Sequence, residues 1–190
     1  MEPLIDFEIH AAGAISGTCI NRGLHTFSAA ARFIKALPYG RNADKLNLST
    51  VFTDNCGTCS TKHALLKLLA TENGFKDLQL TMGLFRMNGR NTPKVATRLL
   101  QNGLEYIPEA HCYLKYGNEI MDFTKYNASP ADFVNDLMEE VAITPAQITD
   151  FKVDYHKNYL KQWLTENAAV NLTLEQLWKI REACIQDLSA

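Results

Sequence analysis

The chain has 190 residues, 46% of them apolar and 21% charged, with a formal net charge of −2 and a pI near 6.2. That length suits one domain, read here as residues 1–190, with a core large enough to need no disulfide staples. The near-neutral balance argues against nucleic acid as a partner and no apolar run approaches a membrane span. Acids in the opening Met1-Glu2-Pro3-Leu4-Ile5-Asp6-Phe7-Glu8 stand where a secretory signal needs bases, so a cytoplasmic location is expected.

In chain order, residues 1–20 mix apolar and small residues around Gly13 and Gly17 and read as a strand or an irregular arm. Residues 26–37 place Phe27, Ala30, Ala31, Phe33, Ile34 and Leu37 at helical spacing, and Pro38-Tyr39-Gly40 ends the helix. The polar residues 39–54 read as a loop able to line a cleft. A helix is then expected from Cys59 to Ala70, after the turn Gly57-Thr58 and before the stop Glu72-Asn73-Gly74. Alternation predicts a strand over 78–87, and Asn88-Gly89-Arg90-Asn91 a turn. Thr92-Pro93 opens a short helix through Val95, Leu99 and Leu100 to Asn102-Gly103.

Residues 110–116 and 119–124 are expected to pair as a hairpin across Gly117-Asn118. Beyond residue 129 the pattern is helical, forming a C-terminal extension over 129–190. One helix starts at Ser129-Pro130 with Phe133, Val134, Leu137, Met138 and Val141 inward, and Thr144-Pro145-Ala146-Gln147 repeats such a start. Further helices are expected over 155–167 and 173–188. Trp163 and Trp178 read as core or helix-packing residues. The fold class expected is α+β, a nucleophile-bearing helix packed on an antiparallel sheet with extra helices at both ends.

The chemistry centres on Cys59. At the first turn of a helix, unpaired N–H groups and the positive dipole end favour thiolate over thiol. Of the five cysteines, Cys19 and Cys184 read as small buried hydrophobes, and Cys112 as a core residue facing away from its neighbour His111. With a two-residue loop, Tyr116 faces Glu119 and Tyr113 faces Asp122. His111 and Asp122 then become diagonal neighbours on one face, about 7 to 8 Å apart at the backbone. Asp122 can fix the imidazole while its other nitrogen meets the thiol. Such a centre transfers acyl groups from amides and calls for no cofactor and no metal. The oxyanion donors expected are the Cys59 N–H and the Asn55 side chain.

This arrangement resembles the transglutaminase-like superfamily of papain-type cysteine enzymes. The likeness rests on Gly57-Thr58-Cys59 with Ala64-Leu65-Leu66, on Glu72-Asn73-Gly74-Phe75 before the strand, and on His111 and Asp122-Phe123-Thr124. It covers about residues 50–126, a catalytic core. Two positions depart from the family pattern: Tyr113 follows the histidine where tryptophan is common, and Ile120 and Met121 precede the aspartate. The resemblance implies Cys59 as nucleophile, His111 as general base and acid, Asp122 as its orienter, and a peptide or protein amide as substrate.

Two other readings use the same residues. Cys56-Gly57-Thr58-Cys59 before a helix fits a thiol–disulfide oxidoreductase, although residues 48–54 are polar for the buried strand such folds need. Cys56, Cys59 and His63, with His111 or Cys112, could hold zinc, but a second paired knuckle is missing. His63, one turn along the helix from Cys59, is a competing base.

Overall fold

The computed structural model describes residues 5–189. Its first helix, α1 (Ala14–Asn21), lies where a strand or arm was expected. Gly13 offers this helix no side-chain cap. The carboxylate of Glu72, far along the chain, accepts from the N–H groups of Ile15 (3.2 Å) and Ser16 (2.7 Å) instead. An anion at a helix N-terminus satisfies otherwise orphaned donors, so this helix depends on a long-range contact that local sequence does not reveal. The rest of the arm is irregular, with Glu8 bridged to Thr26; residues 1–4 lie outside the described residues.

Helix α2 (Phe27–Ala36) starts on Thr26, whose hydroxyl accepts from the N–H of Ala29. The segment 39–54 is mostly loop, as expected, with one short helix, α3 (Thr50–Thr53). Helix α4 (Cys59–Glu72) begins with a reciprocal box in which the Thr58 and Thr61 side chains each accept from the other's backbone N–H. Its residues from Cys59 to Leu66 are all buried, as expected of a helix wrapped by core on every side. Lys62, fully buried on this helix, donates to the carbonyls of Leu37 (2.6 Å) and Thr124 (2.8 Å). It thereby ties the helix to the end of α2 and to the loop after the hairpin.

Strand β1 (Gln79–Asn88) leads through a 3₁₀ turn at Pro93–Val95 to helix α5 (Ala96–Gln101). Strands β2 (Tyr106–Tyr116) and β3 (Glu119–Met121) form the hairpin. Tyr116 faces Glu119 as the two-residue loop requires, and Gly117 takes the left-handed conformation (φ 58°). The first hairpin strand is longer than expected and the second shorter.

The helix expected over 129–141 does not form. Two 3₁₀ turns, Pro130–Asp132 and Val134–Asp136, give way to strand β4 (Leu137–Ile143), which pairs antiparallel with β1. Without it, the outer edge of β1 would leave a row of backbone donors and acceptors unmatched. The four strands form an open antiparallel sheet in the order β3-β2-β1-β4. Thr144 and Gln147 close the expected capping box at a 3₁₀ turn, after which α6 (Asp150–Glu166) and α7 (Leu174–Ser189) complete the chain. No helix among the described residues is long and apolar enough to cross a membrane.

Alternate residues of β1 divide between two apolar clusters. Leu80, Met82 and Leu84 pack with α1, α2 and α4, whereas Phe85 and Met87 pack with Leu99, Phe133, Trp163 and Leu177. Trp163 is core, as expected, while Trp178 is half-buried and packs edge-on against His156. Helix α4 therefore lies against the sheet with its N-terminus beside β2.

Candidate active site

Cys59 is the first residue of α4 and is buried. Its partners come from the hairpin. His111, on β2, presents Nε2 to Asp122 Oδ2 at 3.0 Å, with Asp122 lying immediately after β3. The second carboxylate oxygen of Asp122 accepts from the N–H of Thr124 at 2.8 Å, which fixes the carboxylate plane. With Nε2 occupied by Asp122, the other ring nitrogen of His111 remains for Cys59, whose sulfur lies near enough to help raise the histidine's pKa. The two-residue turn brings imidazole and carboxylate together as expected, and the Cys59 thiol borders the same cavity as both. Behind the imidazole, Phe133 packs edge-on at 4.7 Å between ring centres and Tyr113 lies nearly parallel at 6.0 Å, limiting its rotation.

Charge is held among these groups. A hydrogen bond from Cys112, the Lys152 ammonium and His111 together hold the Cys59 thiol well below its ordinary range, despite burial that opposes ionisation. Cys112 is pushed up in turn, by its bond to Cys59 and by burial. Burial disfavours imidazolium at His111, but the Asp122 carboxylate and the Cys59 sulfur outweigh it and raise the pKa to about 10. Burial likewise opposes ionisation of Asp122, and the His111 charge and hydrogen bond overcome it, holding the carboxyl below the usual carboxylate range. These shifts favour a thiolate at Cys59 and an imidazolium at His111, backed by the Asp122 carboxylate.

His63 is fixed elsewhere. The N–H of Phe123 donates to its Nε2 at 2.7 Å, so that nitrogen carries the lone pair, and Nδ1–H donates to the Cys59 carbonyl at 2.7 Å. Burial lowers its pKa and keeps it neutral. Both nitrogens are spent on backbone, which removes His63 as a base for Cys59 and as a metal ligand. Among the described residues no three His, Cys, Asp or Glu side chains converge as a metal site. Cys56 packs toward Gly40 and the Arg41 carbonyl, and both it and Cys59 are free thiols. Asn55, expected as an oxyanion donor, is exposed, holds a left-handed turn (φ 52°), and is not among the residues around the cavities at Cys59.

Two contributors, Lys152 and Cys112, were not expected from the sequence. Lys152 of α6 donates to Ser60 Oγ at 2.8 Å and lies 3.9 Å from Cys59 Sγ. Cys112, expected only as core, is within 3.5 Å of Ser60 Oγ and 3.6 Å of Lys152 Nζ. Tyr39, in the loop expected to line a cleft, borders both cavities that meet at Cys59. Lys152 was findable: Lys152, His156, Leu160 and Trp163 form one buried stripe along α6, so a lysine stood on an inward-facing position.

Of the two cavities, one of about 140 Å³ is edged by Arg41, Lys45, Glu109, Lys152, Arg181 and Glu182. The other, about 410 Å³, is edged by Phe85, Met87, Pro93, His111, Phe133 and Leu188. The sulfur thus sits between a charged recess and a larger, more apolar one. Fold and site define an α+β chain with a buried cysteine at a helix N-terminus, beside a half-buried histidine hydrogen-bonded to a buried aspartate. Comparison with protein-family models, curated proteins and solved structures yields no match for this chain.

Proposed function

We propose that the chain is a cysteine-dependent amide hydrolase or acyl transferase with a papain-type, transglutaminase-like centre, acting in the cytoplasm on a peptide or protein amide. The observation that carries this reading is the 3.0 Å contact between His111 Nε2 and Asp122, on a ring that borders the same cavity as the Cys59 thiol. In the reaction the Cys59 thiolate attacks the amide carbon, forming a C–S bond while the carbonyl π pair moves onto oxygen. The pair returns, the C–N bond breaks, and His111 gives its proton to the leaving amine. Water or a second amine then attacks the thioester as His111 takes a proton back, and departure of the sulfur restores the thiolate. The apolar recess beside His111 has room for an amide-bearing side chain.

A peptide carrying an electrophilic carbonyl tests the reading, with mass spectrometry locating the label. The label is expected on Cys59 and lost in Cys59→Ala. Asp122→Ala should slow labelling about a hundredfold or more, and Cys56→Ala should change it little. Label on Cys56, or equal loss from both cysteine variants, would replace this reading with thiol–disulfide exchange.

A further inference from the structure

The acyl-transfer reading leaves one buried charge without a task. Lys152 enters from α6 with 9% relative exposure. Its Nζ is 2.8 Å from Ser60 Oγ, 3.6 Å from Cys112 Sγ and 3.9 Å from Cys59 Sγ. Among the described residues no ion pair includes it, and the neighbouring Glu109 is held by Arg181. A buried ammonium with no paired anion is strongly disfavoured. The imidazolium of His111 is already matched by Asp122, which leaves the Cys59 thiolate as the anion that Lys152 touches.

We propose that Lys152 is a further catalytic residue of this centre: its ammonium faces the Cys59 thiolate at rest and donates to the substrate's carbonyl oxygen as charge moves there. This rests on the acyl-transfer reading of the site. The geometry admits it, because the oxygen on the attacked carbon lies within van der Waals contact of the sulfur. With Nζ 3.9 Å from that sulfur, such a point can also lie about 2.7 to 3.1 Å from Nζ. When the C–S bond forms, the negative charge leaves sulfur for oxygen and the ammonium follows it, keeping all three protons. The Cys59 backbone N–H, in the first turn of α4, is the second donor. When the C=O bond re-forms and the amine leaves with the His111 proton, Lys152 turns back to Ser60.

The groups around Lys152 agree with a charge that persists. Cys59 and Ser60 face it from α4, Cys112 and Glu109 from β2, Arg181 from α7 and Lys45 from the loop. His156 lies one turn along its own helix. Burial opposes protonation, yet Cys112, Cys59 and Glu109 more than offset it and the pKa is raised.

The test uses the full chain and two probes, iodoacetamide for the thiolate and p-nitrophenyl acetate for acylation. Lys152→Met should move the pH midpoint of Cys59 alkylation upward by about one to two units. Above the midpoint in both proteins, where thiolate is complete, acylation should still be slower by about tenfold or more. Lys152→Arg should restore most of both. A folded Lys152→Met protein, with the wild-type melting temperature, that kept the wild-type midpoint and acylation rate would overturn the proposal. If Lys152→Met does not fold, Lys152→Gln removes the charge while keeping a donor for Ser60, and the same outcomes apply. A wild-type Cys59 that neither probe modifies would instead overturn the acyl-transfer reading and this role with it.

Discussion

His111 and Asp122 make opposite demands on pH, and together they bound the range in which the site holds itself together. The pKa of His111 is raised to about 10, against about 6.5 for an unfolded histidine. Its stabilisation is therefore complete below about pH 6.5 and lost as pH rises through the folded value. Asp122 is depressed, so its share is present above its unfolded pKa of about 3.9 and lost as pH falls through the folded value. The stability gap between wild type and Asp122→Asn, measured by urea unfolding, should be widest between about pH 4 and 6.5 and close toward pH 10. A gap that stayed constant with pH would mean that the pair carries no linked charge. The partnership itself was legible because a two-residue turn fixes register, and register fixes which side chains are diagonal. The exclusion of His63 was not legible, since it depends on the Phe123 N–H arriving at Nε2 from another element.

The strands show how one apolar pattern can serve two periods. Phe133, Val134, Leu137, Met138 and Val141 fit a helix, but Val141 and Ile143 also fall on one side of a strand, opposite Met82 and Leu80, while an irregularity before Glu139 turns Leu137 to the Phe85 side. What decides is the free edge of β1, a partner that no local window contains. At the centre of this sheet Gly83 pairs with His111 on one side and Glu140 on the other. A Cβ there would lie 2.7 Å from Leu137 Cδ2 and 2.9 Å from Tyr113 Oη. The missing side chain is the slot through which Tyr113 reaches the Glu140 carboxylate while stacking near His111. Gly83→Ala should accordingly cost about 1 to 3 kcal/mol in urea unfolding and slow labelling of Cys59 by displacing the ring behind the imidazole. Unchanged stability would show that Tyr113 and Leu137 yield without strain.

Across the whole molecule, the C-terminal helices turn out to be walls of the site. Arg181 of α7 donates Nε to Glu109 Oε2 at 2.7 Å and a second N–H to the same carboxylate, and it also meets Glu182, which Arg41 approaches at 2.6 Å. This chain of ion pairs joins α7 to β2 and to the loop after α2. Glu109 is 6% exposed, so removing its partner strands a buried carboxylate. Arg181→Met should cost about 3 to 5 kcal/mol, and adding Glu109→Leu should recover most of it in a double-mutant comparison by urea unfolding. A small single-variant loss would mean that water already reaches the pair.

The sequence by itself determined the helix that Cys59 opens, the hairpin register and the pairing of His111 with Asp122. Each follows from short-range rules: a cap before an apolar run, a two-residue turn, and alternation across a strand. Tertiary structure alone decided what lies far apart in the chain. Glu72 caps α1, segment 137–143 joins the edge of β1, Lys62 ties α4 to the loop beyond Asp122, and Lys152 reaches the sulfur across 93 residues. Those contacts match buried donors, acceptors and charges to partners that only the folded chain brings near, and local periodicity carries no record of them.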